Sequence, residues 1–314
     1  EKLKSKDFYV PCIAPYFDGM KKFKIGPVTF YDKNYFLKTQ KSNINVPEPH
    51  DFIEFEDCYK IQNWIAHIRV DGFDSKHAEE RAFLCIRLAI ASIKVRLERS
   101  LAQWLGTEKQ SMPGLTRYLL TSEPDSQRPN EIFLGWGRQF ILNGGNDQVD
   151  HLLSHSSHIW FKIVGAFLEK ISCSTGWGYL NSKIVTALIW LDIGNSPISD
   201  AERVVAFSNG LEALFVTKEK GKKQQLVLRS KLLLDHSGWR VELNGKMDEF
   251  YSVRGSIVHG DIMPLGLEIS SAANIGKYLT DVCIEGFVHF SYWLLNKHHQ
   301  AGTKMHERPF NGHG

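Results

Sequence analysis

The chain has 314 residues, enough for one large domain or two, and 43% of them are hydrophobic, so a sizeable core is within reach. A formal net charge of only +3 excludes a strongly basic coat for nucleic acid and leaves any such contact to local patches. The five cysteines, Cys12, Cys58, Cys85, Cys173 and Cys283, are far apart and form no C-x-x-C pair, which argues against a zinc ribbon or a disulfide framework and fits a reducing compartment.

Residues 1–70 read as mixed. Phe8-Tyr9-Val10, Lys24-Ile25-Gly26-Pro27-Val28-Thr29-Phe30 and Asp51-Phe52-Ile53-Glu54-Phe55 are short, aromatic or β-branched, and punctuated by glycine and proline, as strands or irregular docking segments are. Residues 75–193 read as mainly helical. Ser75 is placed to cap a helix whose Ala82, Leu84, Cys85, Leu88, Ala89, Ser92, Val95 and Leu101 share a broad apolar face. Ser122–Asn130 and Asn143–Asp147 read as loops, and residues 148–173 and 181–193 as two further helices. Ser199 or Asp200 caps the next helix, to about Thr217, and Gly221 breaks it. Helices over 222–237, about 246–261 and roughly 270–297 follow, and residues 298–314 form a polar tail. Residues 1–198 are thus set apart from a helical region at 199–297. No secretory signal and no run of about 18 apolar residues occurs, so the expectation is a soluble, cytoplasmic chain without a membrane partner.

The helix near 246–261 carries the most informative pair. Phe250, Tyr251, Arg254, Ile257 and Val258 all fall within about 80° of Met247 on a helical wheel. Arg254 therefore sits inside the apolar stripe, and a guanidinium there cannot shed its charge and needs a partner. Glu212, with Ser208 and Asn209 nearby on the flank of an earlier helix, is the candidate partner. His259 lies about 140° round from Arg254, just before Gly260, a natural helix stop. The plain alternative is a structural arginine and an incidental histidine.

A basic run, Lys218, Lys220, Lys222, Lys223, Arg229 and Lys231, carries one acid, Glu219, and gives a net +5 around a glycine turn, where cations and backbone can meet phosphates. His151, His155 and His158 share one helix face, but no Glu or Cys accompanies them at ligand spacing, so neither metal nor other cofactor is expected. No P-loop, dinucleotide fingerprint or G-x-S-x-G elbow is present.

Three stretches in this order, Asn209-Gly210-Leu211-Glu212-Ala213-Leu214-Phe215, the Lys- and Arg-bearing helix with Leu232-Leu233-Leu234, and Phe250 to Gly260, resemble the Apea-like branch of the HEPN superfamily over residues 199–297. The resemblance implies a C-terminal HEPN-like helical bundle and a predominantly α chain, preceded by a mixed, mostly helical N-terminal region with a few short strands. It further implies a metal-independent endoribonuclease of prokaryotic anti-phage defence or toxin type, with an R-x4-H motif. Arg254 and His259 match the active pair, and Glu212 falls where relatives often have a supporting polar residue. Asn209, Ser256 and Tyr251 are further supporting candidates, and Lys218, Lys220, Lys222, Lys223 and Arg229 the candidate RNA contacts. Such sites are composite, so the single motif implies a homodimer. The role of residues 1–198 stays open between sensing a phage-derived trigger, binding a regulatory partner and completing the bundle. The family usually has a polar residue directly after the arginine, and here Gly255 stands there, with Ser256 one place on. That departure keeps open a second reading, a non-catalytic HEPN interaction or nucleotide-binding module in which Arg254 pairs with Glu212.

Overall fold

The computed structural model describes residues 5–15, 19–39, 62–103, 105–107, 120–122, 152, 154–173, 178–196, 198–217, 220–236, 243–261 and 266–300. About 70% of these are helical, so the chain is predominantly α with a small N-terminal antiparallel sheet. It divides into two compact units, Glu1–Gly176 and Trp177–Gly314.

The first unit opens with β1 (Lys6–Ile13), β2 (Lys22–Ile25) and β3 (Val28–Asp32), followed by α1 (Lys33–Thr39) and β4 (Trp64–Val70). Next come α2 (Ser75–Lys94), the short α3 (Arg99–Ala102), β5 (Gly106–Thr107), β6 (Leu120–Ser122) and α4 (His155–Ser172). The sheet order is β2-β3-β4-β1-β5, with β6 also on β1, and every pairing is antiparallel. Phe8-Tyr9-Val10 lies within β1, as its composition suggests. The Lys24–Phe30 stretch is a hairpin: Gly26 takes φ of 57° beside Pro27, giving the two-residue turn a conformation closed to most side chains. Phe8, Val10, Phe30, Trp64 and Ile68 are buried, and Ala82, Cys85, Leu88 and Ala89 of α2 are buried with them.

Asp74, one place before the expected Ser75, is the N-cap of α2, its carboxylate accepting from the backbone N–H of His77. The helix stops at Lys94, short of the expected span, and Leu101 falls in α3. Trp160 of α4 donates its indole N–H to the Ser92 carbonyl at 2.9 Å, which fixes α4 beside α2. Residues 51–55, read as a strand or docking segment, and 123–130 and 143–147, read as loops, lie outside the described residues.

The second unit consists of α5 (Tyr179–Gly194), α6 (Asp200–Phe215), α7 (Lys222–His236), α8 (Leu243–His259) and α9 (Leu267–Gln300). The unit begins at Trp177 and so includes α5, which precedes the 199–297 region read from the sequence. Ile184, Leu188 and Leu191 of α5 are buried, as are Val204, Phe207 and Leu211 of α6, and a Cβ built on Gly194 would meet the Phe207 ring at 2.5 Å. Ser199 caps α6 in a full capping box with Glu202. Gly221 separates α6 from α7 with φ of 72°. Helix α9 lies so close to α8 that a Cβ built on Gly276 would meet the Phe250 ring at 2.4 Å. Among the described residues no helix is long and apolar enough to cross a membrane.

Candidate active site

Helix α8 buries Met247, Phe250 and Tyr251 completely or nearly so, while the side chain of Arg254 is 21% exposed. The stripe fades beyond that point: Ile257 is half-buried and Val258 is 50% exposed. The wheel places Val258 in the apolar face, but it lies one residue from the end of α8 and is exposed, so burial follows packing rather than angle alone.

Arg254 has the partner its burial demands. Its guanidinium lies 3.4 Å from Oε1 of Glu212 on α6, and its Nε donates to Oγ of Ser208 at 3.4 Å. Ser208 and Glu212 are one turn apart, so a single face of α6 supplies both acceptors. Tyr251, one turn before Arg254, donates its hydroxyl to Glu212 Oε1 at 2.8 Å, and the guanidinium stands 5.5 Å from the tyrosine ring. Lys222 Nζ reaches Glu212 Oε2 at 3.6 Å. One carboxylate on α6 thus organises an arginine and a tyrosine from α8 and a lysine from α7, leaving the cluster one positive charge in excess. An arginine fixed on its carboxylate side is a preorganised donor for a phosphate.

His259 is exposed at the last residue of α8, and among the described residues it has no hydrogen-bond or ion-pair partner. Its position is set by the backbone. Gly260 takes φ of 76°, its N–H donates to the Ile257 carbonyl, and Asp261 N–H donates to the Ser256 carbonyl, which is a Schellman ending. The terminal turn is therefore fixed although the imidazole is free to meet a ligand. Ser256 and Gly255 are half-exposed, and a Cβ built on Gly255 meets nothing within 4 Å.

The basic residues divide by use. Lys223 pairs with Asp248 at 2.9 Å and donates to Ser252 Oγ at 3.0 Å. Arg229 donates to the Phe215 carbonyl at 2.5 Å and to Thr217 Oγ1 at 3.1 Å, holding the end of α6 against α7. Lys220 is exposed in the turn, and Lys218 lies outside the described residues. Asn209 is half-buried on α6 and takes no part in the Arg254 cluster. His158 is exposed, whereas His151 and the side chain of His155 lie outside the described residues.

Sequence reasoning overlooked Lys183. Its ammonium donates to the carbonyls of Ala213 (2.8 Å) and Leu214 (3.1 Å), at the end of the helix that carries Glu212. A lone lysine in an apolar helix gives no pattern from which to read that use.

No family model matches the chain, and no curated protein or solved structure matches it either.

Proposed function

We propose that the helical unit is a HEPN-like bundle and that the protein is a metal-independent endoribonuclease acting in a defence or toxin role. The observation that carries the reading is the pairing, on one helix, of an arginine held by Glu212 and Ser208 with an exposed histidine at a backbone-fixed helix end. In the reaction the RNA 2′-hydroxyl oxygen attacks the adjacent phosphorus and the bond to the 5′ oxygen breaks. Imidazole groups take the proton from the nucleophile and return one to the leaving oxygen, and Arg254 neutralises charge on the phosphoryl oxygens. The products are a 2′,3′-cyclic phosphate and a 5′-hydroxyl.

Two copies of α8 are needed for this. A 140° offset turns Arg254 and His259 of one helix apart, whereas two facing helices converge them on one phosphate. Val258, exposed beside His259, and Leu228 and Leu232, 59% and 57% exposed one turn apart on α7, offer apolar surface for a second copy. Lys220 and the cluster's excess positive charge supply attraction for RNA. The setting is cytoplasmic, with a regulatory partner or phage-derived trigger acting through the first unit.

One observation favours a second reading. Glu212 already pairs with Arg254 inside one chain, so the arginine also fits a purely structural role in a non-catalytic HEPN interaction or nucleotide-binding module. Incubation of RNA with the protein in EDTA separates the two. Cleavage that disappears in His259→Ala and leaves cyclic phosphate ends supports the nuclease; equal cleavage by the variant, or none under any activating condition, supports the module.

A further inference from the structure

β2 is the outer strand of the sheet, and among the described residues no strand pairs its far side. The register determines which main-chain groups are left over. Ile25 pairs with Val28 across the two-residue turn and Phe23 with Phe30, while Asp32 N–H donates to the Lys21 carbonyl. Hydrogen-bonded positions alternate along such a hairpin, so Lys24 occupies the non-bonded position and turns its own N–H and C=O outward.

This edge borders a cleft of about 680 Å³, with α4 as the opposite wall. The two walls touch where Gly26 meets Gly165: a Cβ on either glycine would come within 2.6 Å of the other's backbone. Beside that contact, His158, Phe161, Lys162, Gly165, Ala166 and Glu169 line the cleft from α4. Their spacing of three and four residues makes them one helical face. Across from them stand Phe23, Lys24 and Ile25, with Phe23 stacked on Phe30 at 4.6 Å and held edge-on to Trp64 at 4.9 Å. The lining is largely aromatic and aliphatic, and its charged and titratable members are two lysines and a histidine against one acid.

We propose that this groove takes an extended peptide by strand addition to β2, a peptide whose side chains alternate apolar and acidic. The outward main-chain groups of Lys24 call for a backbone partner, which a compact small molecule does not supply. The alternation follows from the strand itself. Phe23 and Ile25 point to one face and Lys24 to the other, and cross-strand neighbours of an added strand meet them in the same order. Apolar side chains then lie against Phe23, Ile25 and Phe161, and acidic ones meet Lys24 and Lys162. The inference concerns the first unit alone and is independent of the nuclease reading.

The test uses the full chain and a short fluorescein-labelled peptide in which valine and glutamate alternate, followed by anisotropy. Saturable binding is expected, weakened at least about tenfold by the K24E/K162E double variant, whose changes lie on exposed side chains. An alternating valine–lysine peptide should recover binding to that variant. Replacing alternate amides of the probe by esters, which removes main-chain donors without altering side chains, should weaken it about as much. No saturable binding, equal binding of a peptide with the same residues in two blocks, indifference to the double variant or to the esters, or uptake of an RNA oligonucleotide in place of the peptide would each overturn the proposal.

Discussion

Tyr251 donates its hydroxyl to the same oxygen of Glu212 that faces the Arg254 guanidinium. Three positive or donating groups therefore depend on one carboxylate. Glu212→Ala should destabilise the chain by about 1–3 kcal/mol, because a half-buried arginine and a buried hydroxyl lose their acceptor together. Glu212→Gln, which keeps an amide oxygen for Tyr251, should cost visibly less. Urea unfolding of the three proteins gives the order, and an alanine variant as stable as the parent would mean the cluster is not cooperative.

Two glycines in the second unit make opposite forecasts. At Gly276 a new methyl meets the Phe250 ring, so Gly276→Ala should cost about 1–3 kcal/mol through overpacking. At Gly255 nothing lies within 4 Å, so Gly255→Ala should add about 0.5–1 kcal/mol from helix propensity alone. Thermal melts of both variants check the pair. On the nuclease reading, Gly255→Ser additionally leaves EDTA-resistant cleavage intact or raises it, since it restores a polar neighbour to Arg254.

Ser199 accepts from Glu202 N–H while Glu202 reaches back to the Ser199 backbone. Loss of this box in Ser199→Ala should cost about 1 kcal/mol. Hydrogen exchange at the first turn of α6 should quicken in that variant, with the far end of the helix much less affected.

Burial pushes the Lys183 ammonium down to about 8, and the nearby Arg229 charge adds to the effect. A base whose folded pKa lies below its ordinary value of 10.5 binds fewer protons when folded. Stability therefore rises with pH as the chain passes from about 8 to the ordinary lysine range, and the gain is absent at neutral pH. Comparing urea midpoints of the parent and Lys183→Met over that window isolates this residue from the other lysines. The difference between them should widen in favour of the parent as pH rises.

Helices α6, α7 and α8 are legible because they carry their own punctuation: Ser199 and Glu202 at a start, Gly221 and Gly260 at breaks. The Glu212–Arg254 pair is legible because a wheel puts a permanent charge on an apolar face and leaves few carboxylates to answer it. Strand β4 escapes notice for the converse reason. Its Trp64, Ile65, Ala66, Ile68 and Val70 are all buried, and only His67 and Arg69 break the run, so no clean alternation appears until its last residues. The two-residue β5 and three-residue β6 are too short to hold a period at all. The uses of Lys183 and Arg229 depend on carbonyls distant in sequence, to which residue type gives no clue.

β1 is paired along both sides, with β4 on one and with β5 and β6 on the other. Its last partner, beginning at Leu120, is made long after β1 itself leaves the ribosome, and Asp7 must wait for Ser122 before its side of the ladder is complete. The second unit has no such delay, since its helices follow one another through short connections. Refolding from urea should accordingly show two clocks. Helical far-ultraviolet signal should return early, and fluorescence from Trp64, the first residue of β4, should return late, because sheet closure requires the longer loop. A nascent chain that stops short of Gly106 would expose one flank of β1, making that interval the period in which it is most exposed to aggregation.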